Sequence, residues 1–214
     1  MNNNTGFSTI RSLLIGSSLA VILTACSTEE PPPANDGSAE PGTKNASATV
    51  SILVEGSNFH GIHGLTTDLQ GDIYVGRVVG MNIHKVNPTT SEVTLFQPAP
   101  EGQADDLEFS ADGTLAWTAF TLGKVFSRDR EGSLKLLAEG LPGINSIAYN
   151  QQGRLFATQV FLGDALYEID PDGIKPARKI IEGMGGLNGF DFGQDGKLYG
   201  PLWFKGQVVQ VDVD

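Results

Sequence analysis

The chain has 214 residues, a formal charge of −11 and 27 glycines. Hydrophobic residues make up 40% and charged residues 18%, which is ordinary for a globular protein, and the glycine content suits a turn-rich all-β chain. The acidic balance argues against nucleic acid and against electrostatic attraction to anionic membranes.

The N-terminus reads as a leader. Arg11 is followed by a mostly apolar run from Leu13 to Leu23, then Leu23-Thr24-Ala25-Cys26. A charged start, a short apolar core and small residues before a cut site predict a signal peptide over residues 1–25. The run is too short for an ordinary spanning helix. LTAC followed by Ser27 resembles a bacterial lipobox, which implies that Cys26 is lipidated and becomes the new N-terminus; a plain signal with an incidental cysteine is the alternative. Cys26 is the only cysteine, so no internal disulfide is expected. Two or more acyl chains on one residue give stable anchoring, which places the protein in the bacterial cell envelope, periplasm-facing or surface-exposed. Residues 26–47, rich in Pro, Ser and Glu without apolar periodicity, predict a disordered tether.

The rest, 48–214, is repetitive. Four segments align on a turn glycine: IHGLTTDLQGDIYVG (62–76), ADDLEFSADGTLAWT (104–118), INSIAYNQQGRLFAT (144–158) and LNGFDFGQDGKLYGP (187–201). Gly71, Gly113, Gly153 and Gly196 are spaced 42, 40 and 43 apart. A second set, Gly80, Gly123, Gly163 and Gly206, keeps the beat at 43, 40 and 43. A period of about 40–45 with short alternating segments is the signature of β-propeller blades.

Each repeat reads as strands A to D. Strand A alternates with period 2, a glycine turn leads to strand B, strand C follows the second glycine, and a turn such as Asp170-Pro171-Asp172-Gly173 leads to strand D. Four blades are expected, near 61–101, 102–141, 142–184 and 185–214. ATVSILVEG (48–56) resembles the strand D segment SLKLLAEG (133–140), so it is expected to complete the last blade and close the ring.

The residue opening strand A is polar in every copy: His63, Asp105, Asn145 and Asn188. In a propeller strand A is innermost, so these four side chains point at one spot near the axis. The B–C loops at that end carry Phe120, Phe161, Trp203 and Phe204, expected to bind substrate. Polar groups beneath aromatic loops are the usual make-up of a small-molecule site. Amide and carboxylate oxygens suit Ca²⁺ or another hard divalent cation, with Asp105, Asn145 and Asn188 as the metal ligands. Capping of strand starts by Asn and Asp is the competing reading. His63 fits such a cation less well and favours a transition metal or a proton-transfer role, and Asp105 and His63 are the catalytic candidates. His60 and His84 fall outside the register and read as surface residues; Asp112, Asp172 and Asp195 read as turn formers.

GLNGFDFGQDGKLYG and GINSIAYNQQGRLFAT resemble blades of the senescence-marker-protein/gluconolactonase (regucalcin-like) family over about residues 48–214. The resemblance implies six blades with a divalent metal on the axis, usually Ca²⁺, held by a Glu of the first blade, Asn of the third and fourth, and an Asp of the fifth. Asn145 and Asn188 match; His63 stands where the Glu is expected. The fifth-blade Asp is not in the chain, which reads as a truncated six-bladed propeller. The function implied is a metal-dependent hydrolase of lactone or ester type on a membrane-anchored propeller, weak or inactive as this short chain. The alternative is a non-catalytic propeller lipoprotein that binds a small molecule or a protein partner. A monomer is expected, with the membrane reached through the lipid anchor only.

Overall fold

The computed structural model describes residues 48–55 and 59–214. The leader, Cys26 and the tether therefore lie outside the described residues. Each repeat forms one antiparallel sheet whose strands pair in chain order. Sheet 1 contains β1 (Ile62–Thr67), β2 (Ile73–Arg77), β3 (Asn82–Val86) and β4 (Val93–Gln97). Sheet 2 contains β5 (Asp106–Phe109), β6 (Leu115–Ala119), β7 (Lys124–Arg128) and β8 (Leu134–Ala138). Sheet 3 contains β9 (Ile144–Tyr149), β10 (Leu155–Gln159), β11 (Ala165–Ile169) and β12 (Arg178–Glu182). Sheet 4 contains β13 (Asp191–Phe192), β14 (Leu198–Leu202) and β15 (Gln207–Val211).

Local chemistry fixes these hairpins. In sheet 3 the Asn150 side chain accepts from the amides of Gln152 (3.0 Å) and Arg154 (2.9 Å), and Gly153 turns the chain with φ 75°. Asp68 does the same in sheet 1, accepting from Gln70 and Asp72 at 3.0 Å. A short side-chain acceptor followed by a residue tolerant of positive φ is the turn chemistry that the repeat encodes.

Period 2 then sends alternate side chains to opposite neighbours. On β6, Leu115 and Trp117 pack toward sheet 1 while Ala116 packs toward sheet 3. On β10, Leu155 and Ala157 pack toward sheet 2 and Phe156 toward sheet 4. Three apolar layers result, between sheets 1 and 2, 2 and 3, and 3 and 4. Trp117 is fully buried in the first, and its indole N–H donates to the Glu101 carbonyl at 2.7 Å. Each such large side chain contributes roughly 1.5–3 kcal/mol on burial.

The inner strands follow one another in space as β1, β5, β9 and β13. An inner strand pairs on one side only, so its other edge presents free amides. Side chains of the preceding sheet take them up. Asp106 accepts from the Ile147 amide (3.0 Å), Glu108 from the Tyr149 amide (2.8 Å), and Ser146 Oγ from the Gly189 amide (2.7 Å).

Among the described residues the expected closing strand is not formed. Residues 48–55 have no strand structure and are mostly exposed, and sheet 4 has three strands. The physical reason lies in the arc. Among the described residues β13 has no packing against β1 comparable to that between successive inner strands. A segment that leads into sheet 1 therefore does not reach the free edge of β15. His84 also departs from expectation. It lies on β3 edge-on to Phe59 (5.7 Å), with a buried Nδ1 that has no partner. Burial and the nearby Arg77 guanidinium lower its pKa.

Candidate functional site

The loops that enter each sheet and the loops between its second and third strands meet at one end. Val78 donates to the Gly61 carbonyl (2.9 Å), Val160 to Gly143 (3.1 Å) and Trp203 to Gly186 (2.7 Å). The four lead residues stand at this end.

His63 and Asp105 form a pair. His63 Nδ1 lies 3.0 Å from the Asp105 backbone carbonyl and 3.6 Å from its carboxylate Oδ2. A carbonyl only accepts, so Nδ1 is the donor in this bond, and the ring's other nitrogen, Nε2, is the one left for a ligand. The His63 side chain is 57% exposed, which leaves it open to a ligand. Asp105 is buried, and its Oδ2 makes no hydrogen bond. Burial raises its pKa to about 6, with the His63 charge acting in the opposite direction.

Asn145 and Asn188 form a second pair. Each Oδ1 lies 3.2 Å from Ser146 Oγ. One hydroxyl proton serves one acceptor at a time, so one of the two amide oxygens has spare capacity. Thr118 joins the pairs. Its backbone carbonyl accepts from the Asp105 amide (2.9 Å), and its hydroxyl donates to the Asn145 carbonyl.

The contacts fall into two groups, Asp105 with His63 and the two asparagines with Ser146. The donors that Asp105, Asn145 and Asn188 offer are oxygens with one carboxylate among them, a type that suits a hard divalent cation, and the Asp105 Oδ2 has no hydrogen-bond partner. Among the described residues no three His, Cys, Asp or Glu side chains are grouped to hold a metal. Any cation here would therefore rest on amides as well as on Asp105.

The four loop aromatics come together around Phe161. Its ring lies 6.5 Å from Phe120, 5.7 Å from Trp203 and 5.8 Å from Phe204, each edge to face. Phe161, Trp203 and Phe204 are exposed. Phe161 has φ 71°, and the Leu162 amide bonds the Val160 carbonyl across it at 2.9 Å, a strained γ-turn. Asp164 braces the neighbouring loop by accepting from the amides of Gly185 (2.7 Å) and Gly186 (3.0 Å).

A cavity of about 850 Å³ opens at the other end, between sheets 1 and 2, lined by Asp68, Tyr74, Lys85, Glu108 and Arg128 among others. It contains none of the lead residues or loop aromatics. Chemistry rather than volume selects the lead-residue end: the unpartnered carboxylate, the free imidazole nitrogen and the aromatic cluster all lie there. Sequence reasoning missed Thr118, which bonds the backbone of Asp105 and Asn145, Ser146, which donates to the side chains of Asn145 and Asn188, and Asp106, which accepts from the Ile147 amide. The available signal was position, since Asp106 and Ser146 both follow a lead residue directly.

No family model and no curated protein matches the chain. Solved structures do. A streptogramin B lyase is 18% identical with a TM-score of 0.62, over 76% of this chain and 53% of that one. A gluconolactonase from Xanthomonas campestris is 15% identical with a TM-score of 0.60, over 71% and 58%. A catalytically inactive histidine-to-alanine variant of virginiamycin B lyase from Staphylococcus aureus, with quinupristin, is 17% identical with a TM-score of 0.57, over 72% and 56%. The fold is a β-propeller. The four sheets are its blades, and the chain spans less than two thirds of each of these propellers.

Proposed function

We propose that this propeller is a membrane-anchored hydrolase of lactone or ester type, with its reaction centre at the lead residues. The observation that carries the reading is the His63–Asp105 pair. It combines an oriented imidazole whose Nε2 is free, a buried carboxylate 3.6 Å from Nδ1, and an aromatic wall at the same end. His63 would take a proton from the attacking water at Nε2. The Asp105 carboxylate would favour the imidazolium so formed. Asp105, Asn145 and Asn188 would hold a divalent cation, Ca²⁺ by choice of ligands, which supplies Lewis-acid polarisation of the ester carbonyl. The likeness to a gluconolactonase supports a ring ester as substrate, and the likeness to an inactive histidine variant of a lyase supports chemistry that depends on histidine.

One carboxylate is a thin supply of charge for calcium. We expect a dissociation constant on the order of 10⁻⁴–10⁻³ M and weak turnover. Calorimetric Ca²⁺ titration together with hydrolysis of a lactone panel and of quinupristin tests this. His63→Gln should cut kcat/KM by roughly 10²-fold or more, and Asn188→Ala should abolish the calcium heat. Turnover that is indifferent to both changes would remove the proposal. The exposed aromatic cluster favours a second reading, a non-catalytic ligand-binding propeller. It is the better one if no ester is turned over and a small ligand binds in a way that Phe161→Ala abolishes.

A further inference from the structure

The position that faces the first residue of the second strand recurs in every blade. Val86 faces Ile73, Ile169 faces Leu155 and Val211 faces Leu198. All three are apolar, and Ile169 is fully buried in the core between sheets 2 and 3. In sheet 2 the residue that faces Leu115 is Arg128. It lies in one row with Phe109 and Leu115, and there it lines the cavity of about 850 Å³ between sheets 1 and 2. A charge where the other copies place a core side chain is a departure from the repeat that packing does not ask for.

Arg128 is held in place without being neutralised. Its Nε donates to the Gly132 carbonyl (3.2 Å), its Nη1 donates to the Phe96 carbonyl, and the guanidinium lies 4.6 Å from the centre of the Phe96 ring. Nη2 has no protein partner. Arg130, exposed on the same wall, lies across Gly113 in space that any side chain there would fill. Among the described residues no carboxylate forms an ion pair with either arginine. The cavity's other cation is taken, since Lys85 pairs with Asp72 (2.7 Å) and Asp68 (3.7 Å). Asp129 turns to its own loop and accepts from the Ser133 amide (2.7 Å). The cleft at the same end between sheets 2 and 3 differs. It is smaller, about 470 Å³, and its one lining cation, Lys135, pairs with Asp172 (3.9 Å). Beside the two arginines the wall is aromatic: Tyr74 lies edge-on to Phe96 (5.0 Å) and to Phe109 (4.9 Å), and the latter two rings are half-buried.

We propose that the cleft between the first two blades binds a small organic acid, with its carboxylate on Arg128 and Arg130 and its apolar or ring body against Phe96 and Phe109. The guanidinium fork matches a carboxylate, and the volume is that of a small-molecule site. Single charge is part of the fit, because Asp68, Glu108 and Glu131 line the same cavity and repel a second one. The site lies at the end opposite the lead residues and is independent of the proposed chemistry.

Calorimetric titration of the whole chain in detergent with phenylacetate, phenylacetamide and inorganic phosphate tests it. Phenylacetate should bind with a dissociation constant on the order of 10⁻⁴–10⁻³ M. The neutral amide should bind roughly tenfold more weakly or worse, and phosphate more weakly than phenylacetate. Arg128→Val installs the residue that sheets 1 and 4 carry at this position and should weaken phenylacetate roughly tenfold with the β signal in circular dichroism unchanged. Arg130→Gln alters an exposed side chain, so it should fold as the parent does and still bind more weakly; it decides alone if Arg128→Val does not fold. No heat with phenylacetate, equal affinity for the amide, tighter binding of phosphate, or unchanged affinity in the folded variants would each overturn the site.

Discussion

Glu108 is a carboxylate held inside a blade junction, and its removal should stabilise the protein at alkaline pH. Burial raises its pKa from 4.5 to about 7, against the bond from the Tyr149 amide, which favours the charged form; Asp191 and Asp106 add repulsion. At about 1.4 kcal/mol per unit this shift is worth at most roughly 3 kcal/mol. The side chain also borders the 850 Å³ groove, where water screens its charge, so about 1–2 kcal/mol is the working figure. The folded state holds the proton more tightly than the unfolded chain. Stability therefore falls as pH rises from about 4.5 through about 7, and the penalty is complete above that. Glu108→Gln keeps an oxygen for the Tyr149 amide and removes the charge. Urea unfolding should find the variant more stable than the parent by about 1–2 kcal/mol at pH 8 and nearly equal to it at pH 4. A variant less stable at pH 8 would show that the charged bond to Tyr149 outweighs the desolvation. A gap that is the same at both pH values would refute the role given to charge.

Three further outcomes follow from other parts of the chain. Trp117→Ala empties the largest fully buried side chain and should cost about 3–5 kcal/mol in urea unfolding. With Asp105 ionising near pH 6, any lactone hydrolysis that uses the His63–Asp105 pair should rise with pH through that region, and Asp105→Asn should lower kcat and flatten that limb. Cys26→Ser should move the protein from the membrane fraction to the salt-washed supernatant, and retention of the variant on membranes would remove the lipid anchor.

The blades were legible because their chemistry is local. Turn glycines such as Gly153, with acceptors such as Asn150 before them, and period-2 strands depend on neighbours in sequence, so the repeat alone located the hairpins. The gathering of Phe120, Phe161, Trp203 and Phe204 also followed from strand direction, because alternating strands put all second-to-third-strand loops at one end. The closing strand failed for the opposite reason. The likeness of 48–56 to a fourth strand concerns what that segment can do, whereas its pairing depends on where sheet 1 lies relative to sheet 4, which no local pattern encodes.

The same distinction separates the lead residues from the groups that make them useful. Polar character at His63, Asp105, Asn145 and Asn188 is a one-dimensional pattern, and it pointed to one end of the molecule. The proton on His63 Nδ1 is set by a carbonyl 42 residues away, and the shared acceptance at Ser146 by an asparagine at the same separation. Both are contacts across a junction between blades. Junctions also desolvate Glu108 and orphan an oxygen of Asp105. The geometry of the lead residues and the pH response of the junction therefore have a common origin: each inner strand leaves one edge unpaired, and the preceding blade has to supply what that edge lacks.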